Sequence, residues 1–208
     1  MKLLLATNNA HKRTELAAAL APRGIEVVTP ADVGGVPDVD EDQPTFSGNA
    51  AKKAVSAARA QGLWSLADDS GLEVDALDGA PGVFSARYAG VHGDDAANNA
   101  KLLGALAEVP DADRGARFVA ALSLADPEGR VVLEIQGTVR GRILHAPRGE
   151  AGFGYDPLFL FVEEGFPQTG RGFAELSLEE KAEVSHRGRA LRELLERLPE
   201  ALSPSQQH

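Results

Sequence analysis

The chain has 208 residues, 43% of them hydrophobic, and a formal net charge of −10. That length suits one large domain or two small lobes, and that hydrophobic content excludes wholesale disorder. The negative charge argues against a surface built to grip nucleic acid, which needs a basic stripe, and the lack of cysteine excludes disulfides, zinc–thiolate sites and thiol catalysis.

Residues 2–6 read as a short buried strand. The polar run Thr7-Asn8-Asn9-Ala10-His11-Lys12 follows, and then Glu15, Leu16, Ala19 and Leu20 fall at helical spacing. Asn8 or Asn9 is the expected N-cap. Backbone N–H groups at such a helix start attract phosphate, and Lys12 would add charge. The G-x-x-x-x-G-K-[ST] pattern of a Walker loop is absent. The plainer alternative is a capped helix with a solvated lysine.

Pro22-Arg23-Gly24 ends this helix, and residues 25–28 read as the next strand. Residues 30–44 form a Gly/Pro-rich acidic loop, either solvated or supplying one acid as a metal ligand. The alanine-rich segment 45–61, closed by Gly62, is a predicted helix carrying Asn49, Lys52 and Lys53.

An apolar run over 63–67 then drives into Asp68-Asp69-Ser70-Gly71, and Leu72 and Val74 alternate with Glu73 and Asp75. Two acids at the end of a buried run are costly unless something pairs with them. A divalent cation is the usual companion of clustered oxygen ligands. If the chain is extended here, Asp68 and Asp69 point to opposite faces, one towards a cleft and one bracing the loop. An ordinary acidic turn is the bland alternative.

A tight Gly/Pro loop over 79–90 follows, then a predicted helix over 96–106. Residues 117–125 and 130–139 read as a hairpin across Asp126-Pro127-Glu128-Gly129, with 140–144 able to continue the second strand. In Gly152-Phe153-Gly154-Tyr155-Asp156-Pro157 a phenylalanine stands between glycines, either as a stacking plate for a nucleobase or as part of a packed turn. Residues 158–162 suggest a strand. A helical region spans 179–198, with Leu191, Leu194, Leu195 and Leu198 on one face and a break at Ser185. Before that face lie Lys181, His186 and Arg187, cations suited to an anion or base pocket or to a charged helix surface. Residues 199–208 read as a frayed polar tail. The start of the sequence has too short an apolar run for a signal peptide. No stretch approaches the roughly 18–20 apolar residues of a membrane span, and a cytoplasmic location, which the lack of cysteine fits, is the expectation.

Six pieces in order, residues 6–12, 46–53, 67–72, 79–90, 152–157 and 185–187, resemble the inosine triphosphate pyrophosphatase family over nearly the whole chain. The resemblance implies an elongated, two-lobed α/β fold over 1–198, with a mixed twisted central sheet flanked by helices and an active cleft between the lobes. It implies a Mg2+-dependent homodimer that hydrolyses ITP, dITP and XTP to the monophosphate and pyrophosphate. By the same resemblance Thr7, Asn8, Asn9, Ala10, His11 and Lys12 would hold the triphosphate. Asp69 would be metal ligand and general base, Asp40 the second metal ligand, and Lys53 a neutraliser of phosphate charge. Ser70 would touch substrate. Phe153, Gly154, Tyr155 and Asp156 would line the nucleoside site, and Lys181, His186 and Arg187 would read the base. The sequence departs from the family's usual glycine at Asn9 and usual glutamate at Asp40 and Gly48. The competing expectations are a septum-inhibitor-type pyrophosphatase for other modified nucleotides, a nucleotide sensor without catalysis, and an RNA-binding protein. The net charge of −10 weighs most against the last.

Overall fold

A computed structural model describes residues 2–201. Six strands form one sheet in the order β2-β1-β3-β4-β5-β6. They are β1 (Lys2–Leu5), β2 (Glu26–Val28), β3 (Trp64–Val74), β4 (Gly115–Ala125), β5 (Val131–Ile143) and β6 (Phe159–Phe161). β1 runs parallel to β2 and to β3, with Leu5 opposite Leu66. β5 and β6 are antiparallel, Gly141 facing Phe161. The sheet is therefore mixed, as expected for this α/β chain. The helices are α1 (Ala10–Leu20), α2 (Phe46–Gln61), α3 (Asp95–Ala105), α4 (Leu178–Val184) and α5 (His186–Ala201).

The chain divides into two compact units. The first comprises the residues up to Asp69, Ala121–Gln136 and the chain from Ala190. Its core sets Ala54, Ala57 and Ala58 of α2 against Leu4, Ala6, Ala67 and Ala125. These alanines share one helical face. Thr45 caps the start of α2, its hydroxyl accepting from Gly48 N at 3.1 Å, and Gly62 closes the end at φ +62°.

The second unit comprises Ser70–Ala120 and Gly137–Arg189. Its core is aromatic: the Phe118 and Phe159 rings lie 4.5 Å apart and those of Phe159 and Phe173 4.8 Å apart. Each fully buried phenylalanine contributes about 1.5–3 kcal/mol. Arg114 is buried in this unit and donates to the carbonyls of Leu106 (2.6 Å), Ile143 (2.9 Å) and Leu144 (3.0 Å). The bond to Leu106 satisfies a carbonyl at the end of α3, where a helix leaves acceptors orphaned, and the other two fasten the end of β5.

Ser185 breaks the C-terminal helical region, as its polarity suggested. It ends α4 in an extended conformation, and its hydroxyl accepts from Gly188 N at 3.1 Å to open α5. α5 runs to Ala201, past the expected tail boundary at 199, and positions 202–208 of that tail lie outside the described residues.

Candidate active site

Alternation along β3 sends Asp68 and Asp69 to opposite sides. Both are buried, 1% and 6% exposed, so each needs a partner. α1 provides one: Lys12 Nζ forms an ion pair with Asp68. α2 provides the other: Lys53 Nζ lies 2.9 Å from Asp69 Oδ1. The second oxygen of Asp69 accepts from Asn49 Nδ2 at 3.2 Å, and Asn49 Oδ1 accepts from Gln43 N at 3.0 Å. Lys53 also lies 3.1 Å from Glu41 Oε1, so one ammonium bridges two carboxylates.

Burial pushes the Asp69 carboxyl above its ordinary pKa, and the repulsion of Glu41 adds to this against the pull of Lys53 and Lys12. Burial alone would lower the Lys53 pKa, but the charges of Asp69 and Glu41 prevail and raise it. Asp69 is thus a carboxylate with a raised proton affinity beside a firmly charged lysine, an arrangement frequent at reactive sites.

The acid that the 30–44 loop brings to this pair is Glu41, not Asp40. Asp40 is exposed, and what engages it is its backbone carbonyl, which accepts from Lys52 Nζ at 2.9 Å. Among the described residues no three acidic or imidazole side chains converge into a complete metal cage. Magnesium is commonly held by one or two carboxylates plus substrate phosphates. The hard oxygen donors of Asp69 and Glu41 fit it on those terms.

At the start of α1, Asn9 is the cap, its side chain accepting from Lys12 N at 3.1 Å. Thr7 Oγ1 accepts from Asn9 N at 3.2 Å, and Arg13 donates to the Asn8 carbonyl at 2.9 Å. Asn8, Ala10 and His11 are exposed. These bonds order the loop that leads into α1.

The second unit holds the predicted base-reading residues. Asp156 is buried, pairs with Lys181, and accepts Phe153 N at 2.9 Å. Gly152 sits at φ +81°, and a Cβ there would lie 2.2 Å from Asp156 Oδ2, so glycine permits the close turn. Lys181 Nζ stands 5.0 Å and Arg187 Cζ 5.9 Å from the centre of the half-buried Phe153 ring. Arg187 also donates to Ser70 Oγ at 2.9 Å, and Ser70 follows Asp69 in the chain.

Two further residues of that expectation are buried. Tyr155 belongs to the core, its hydroxyl donating to the Ser85 carbonyl at 2.9 Å, and burial drives its pKa up. His186 is buried with its ring stacked on Phe118, centroids 4.8 Å apart.

Sequence reasoning gave Asn49 no role, did not single Glu41 out of its acidic loop, and missed the polar face of α3. The signal for the last is Asn98-Asn99 inside an alanine-rich helix, where asparagine competes with the helix unless it bonds elsewhere. Asn98 Oδ1 accepts from Ala89 N at 2.7 Å and Lys101 donates to the Tyr88 carbonyl at 2.6 Å, fastening the 79–90 loop.

A family model described as the Ham1 family matches residues 3–197. A dITP/XTP pyrophosphatase of Desulforamulus reducens is 53% identical over 196 residues, 94% of each chain. One of Lactiplantibacillus plantarum is 50% identical, covering 95% of each. Among solved structures, a HAM1 protein from Coxiella burnetii superposes with a TM-score of 0.86 at 41% identity, covering 96% of this chain and 99% of that one.

Proposed function

The chain belongs to the Ham1 family, and on that premise we propose that it hydrolyses the non-standard purine nucleoside triphosphates ITP, dITP and XTP to the monophosphate and pyrophosphate. The observation that carries this reading is Asp69: a buried carboxylate of raised pKa, held by Lys53 and Asn49.

In this reading the loop from Thr7 to Lys12 and the N-terminus of α1 hold the triphosphate, where backbone N–H groups and lysine charge favour phosphate. Lys53 offsets phosphate charge. Asp69 orients a water and takes its proton as the oxygen attacks the α-phosphorus, with pyrophosphate leaving; the raised proton affinity suits a general base. Asp69 and Glu41 would hold Mg2+, which would supply neutralisation of phosphate charge. Phe153 provides a face for the purine. Lys181 and Arg187 supply donors for the 6-oxo group of hypoxanthine and xanthine, whereas the 6-amino group of adenine would leave donor facing donor, a mismatch that discriminates strongly. The homodimer belongs to the same reading and rests on the family resemblance, and the cytoplasmic location rests on the sequence expectation. No helix of the described residues is long and apolar enough to cross a membrane.

The test is pyrophosphate release from ITP, XTP, GTP and ATP, with Mg2+ and with EDTA. Magnesium-dependent cleavage of ITP and XTP, with ATP and GTP nearly untouched, is the expected result. Equal cleavage of all four would sink base reading by Lys181 and Arg187, and cleavage of none would overturn the enzymatic reading in favour of a sensor.

A further inference from the structure

Gly154, the residue after Phe153, has its peptide groups held from both sides by one helix. Asp95 Oδ2 accepts Gly154 N at 2.7 Å, and Asn99 Nδ2 donates to Gly154 O at 2.9 Å. Asp95 and Asn99 are four residues apart on α3, so they stand on one face and act as a two-pronged clamp. With Phe153 N bonded to Asp156 at 2.9 Å, the short segment is fastened at three successive polar groups. Gly154 itself lies at φ +62°, a conformation that glycine adopts readily. Asn99 Oδ1 is buried without a hydrogen-bond partner among the described residues. An orphaned buried acceptor costs stability and calls for an explanation. Here the amide is kept for its donor end.

We propose that Asp95 and Asn99 are positioning residues for purine binding: their clamp on Gly154 sets the angle of the Phe153 ring relative to Lys181 and Arg187. This rests on the reading of Phe153 as the purine's platform. Neither residue touches the reacting phosphate, so their loss weakens binding of the base and leaves the chemical step alone. Loss of an interaction made equally in the ground and transition states raises KM at constant kcat.

The experiment compares Asp95→Ala, Asn99→Ala and Asp95→Asn with the unaltered chain. Steady-state pyrophosphate release from ITP and ATP is measured together with thermal melting and hydrogen–deuterium exchange over residues 152–156. Asp95→Ala and Asn99→Ala are each expected to raise KM for ITP about five- to tenfold, the equivalent of roughly one net hydrogen bond, with kcat within about twofold. The ITP-over-ATP ratio of kcat/KM falls, and exchange over 152–156 quickens. Asp95→Asn keeps an acceptor oxygen and restores KM. Unchanged KM with quickened exchange would overturn the proposal, as would a loss of kcat that merely follows melting temperature. If the unaltered chain cleaves no triphosphate, the function proposed above fails. Inosine monophosphate binding by calorimetry then decides: tenfold weaker binding by the alanine variants upholds the clamp, and equal or absent binding throughout overturns it.

Discussion

Asn49 donates from Nδ2 to Asp69 Oδ2 at 3.2 Å while its Oδ1 receives the Gln43 amide at 3.0 Å. One fully buried side chain thus joins the acidic loop to the carboxylate of β3. The near-isosteric Asn49→Leu would leave an amide and a carboxylate oxygen short of partners. The expected loss is about 1–3 kcal/mol, visible as a lower urea midpoint. The acid limb of kcat/KM should move to higher pH, because the amide no longer favours the charged carboxylate.

Asp69 carries the pH dependence. Its folded-state pKa in the metal-free chain lies above the ordinary 3.8, so without Mg2+ its carboxyl should titrate above that value when followed by carbon-13 NMR. As pH rises past 3.8, the folded chain keeps this proton longer than the unfolded chain, so ionised Asp69 costs stability at neutral pH. Asp69→Asn removes that cost. The variant should melt no lower than the unaltered chain at pH 7, and turnover should drop by about 10²–10⁴-fold. A folded, active Asn variant would remove Asp69 from the role.

Lys53 behaves in the opposite sense. Its pKa is raised, so its stabilisation is complete below the ordinary 10.5 and is lost as pH climbs through the folded value. Lys53→Met strands two carboxylates that share one ammonium, and should cost about 2–4 kcal/mol near neutral pH. Denaturation curves at pH 7 and pH 11 should show the gap between the two proteins narrowing at the higher pH.

Gly188 tests the junction of α4 and α5. A Cβ at this position would stand 1.9 Å from the Ala182 carbonyl oxygen, a backbone atom that cannot swing aside. Gly188→Ala should therefore displace the first turn of α5, and with it Arg187. Expected are a loss of about 1–3 kcal/mol in stability and a raised KM for ITP, measured on the soluble fraction.

Local signals were legible in the sequence. Thr45 and Gly62 bound α2, Asn9 caps α1, Ser185 separates α4 from α5, and the hairpin turns at residues 126–129. Caps, glycine turns and apolar spacing act within a few residues, so they survive reading one residue at a time. The opposite facing of Asp68 and Asp69 follows from strand alternation alone.

Which lysine meets which aspartate did not follow, nor that Glu41 rather than Asp40 reaches Lys53, that Tyr155 turns into the core, or that α3 clamps Gly154. Glu41 and Lys53 are 12 residues apart, and Asn99 and Gly154 are 55 apart. Such pairings depend on the paths of intervening loops and on how closely helices pack against the sheet. The sequence by itself determined the elements and the acidic centre on β3. Only the tertiary structure decided the partners, because a buried charge takes whichever opposite charge the packed fold delivers within hydrogen-bonding distance.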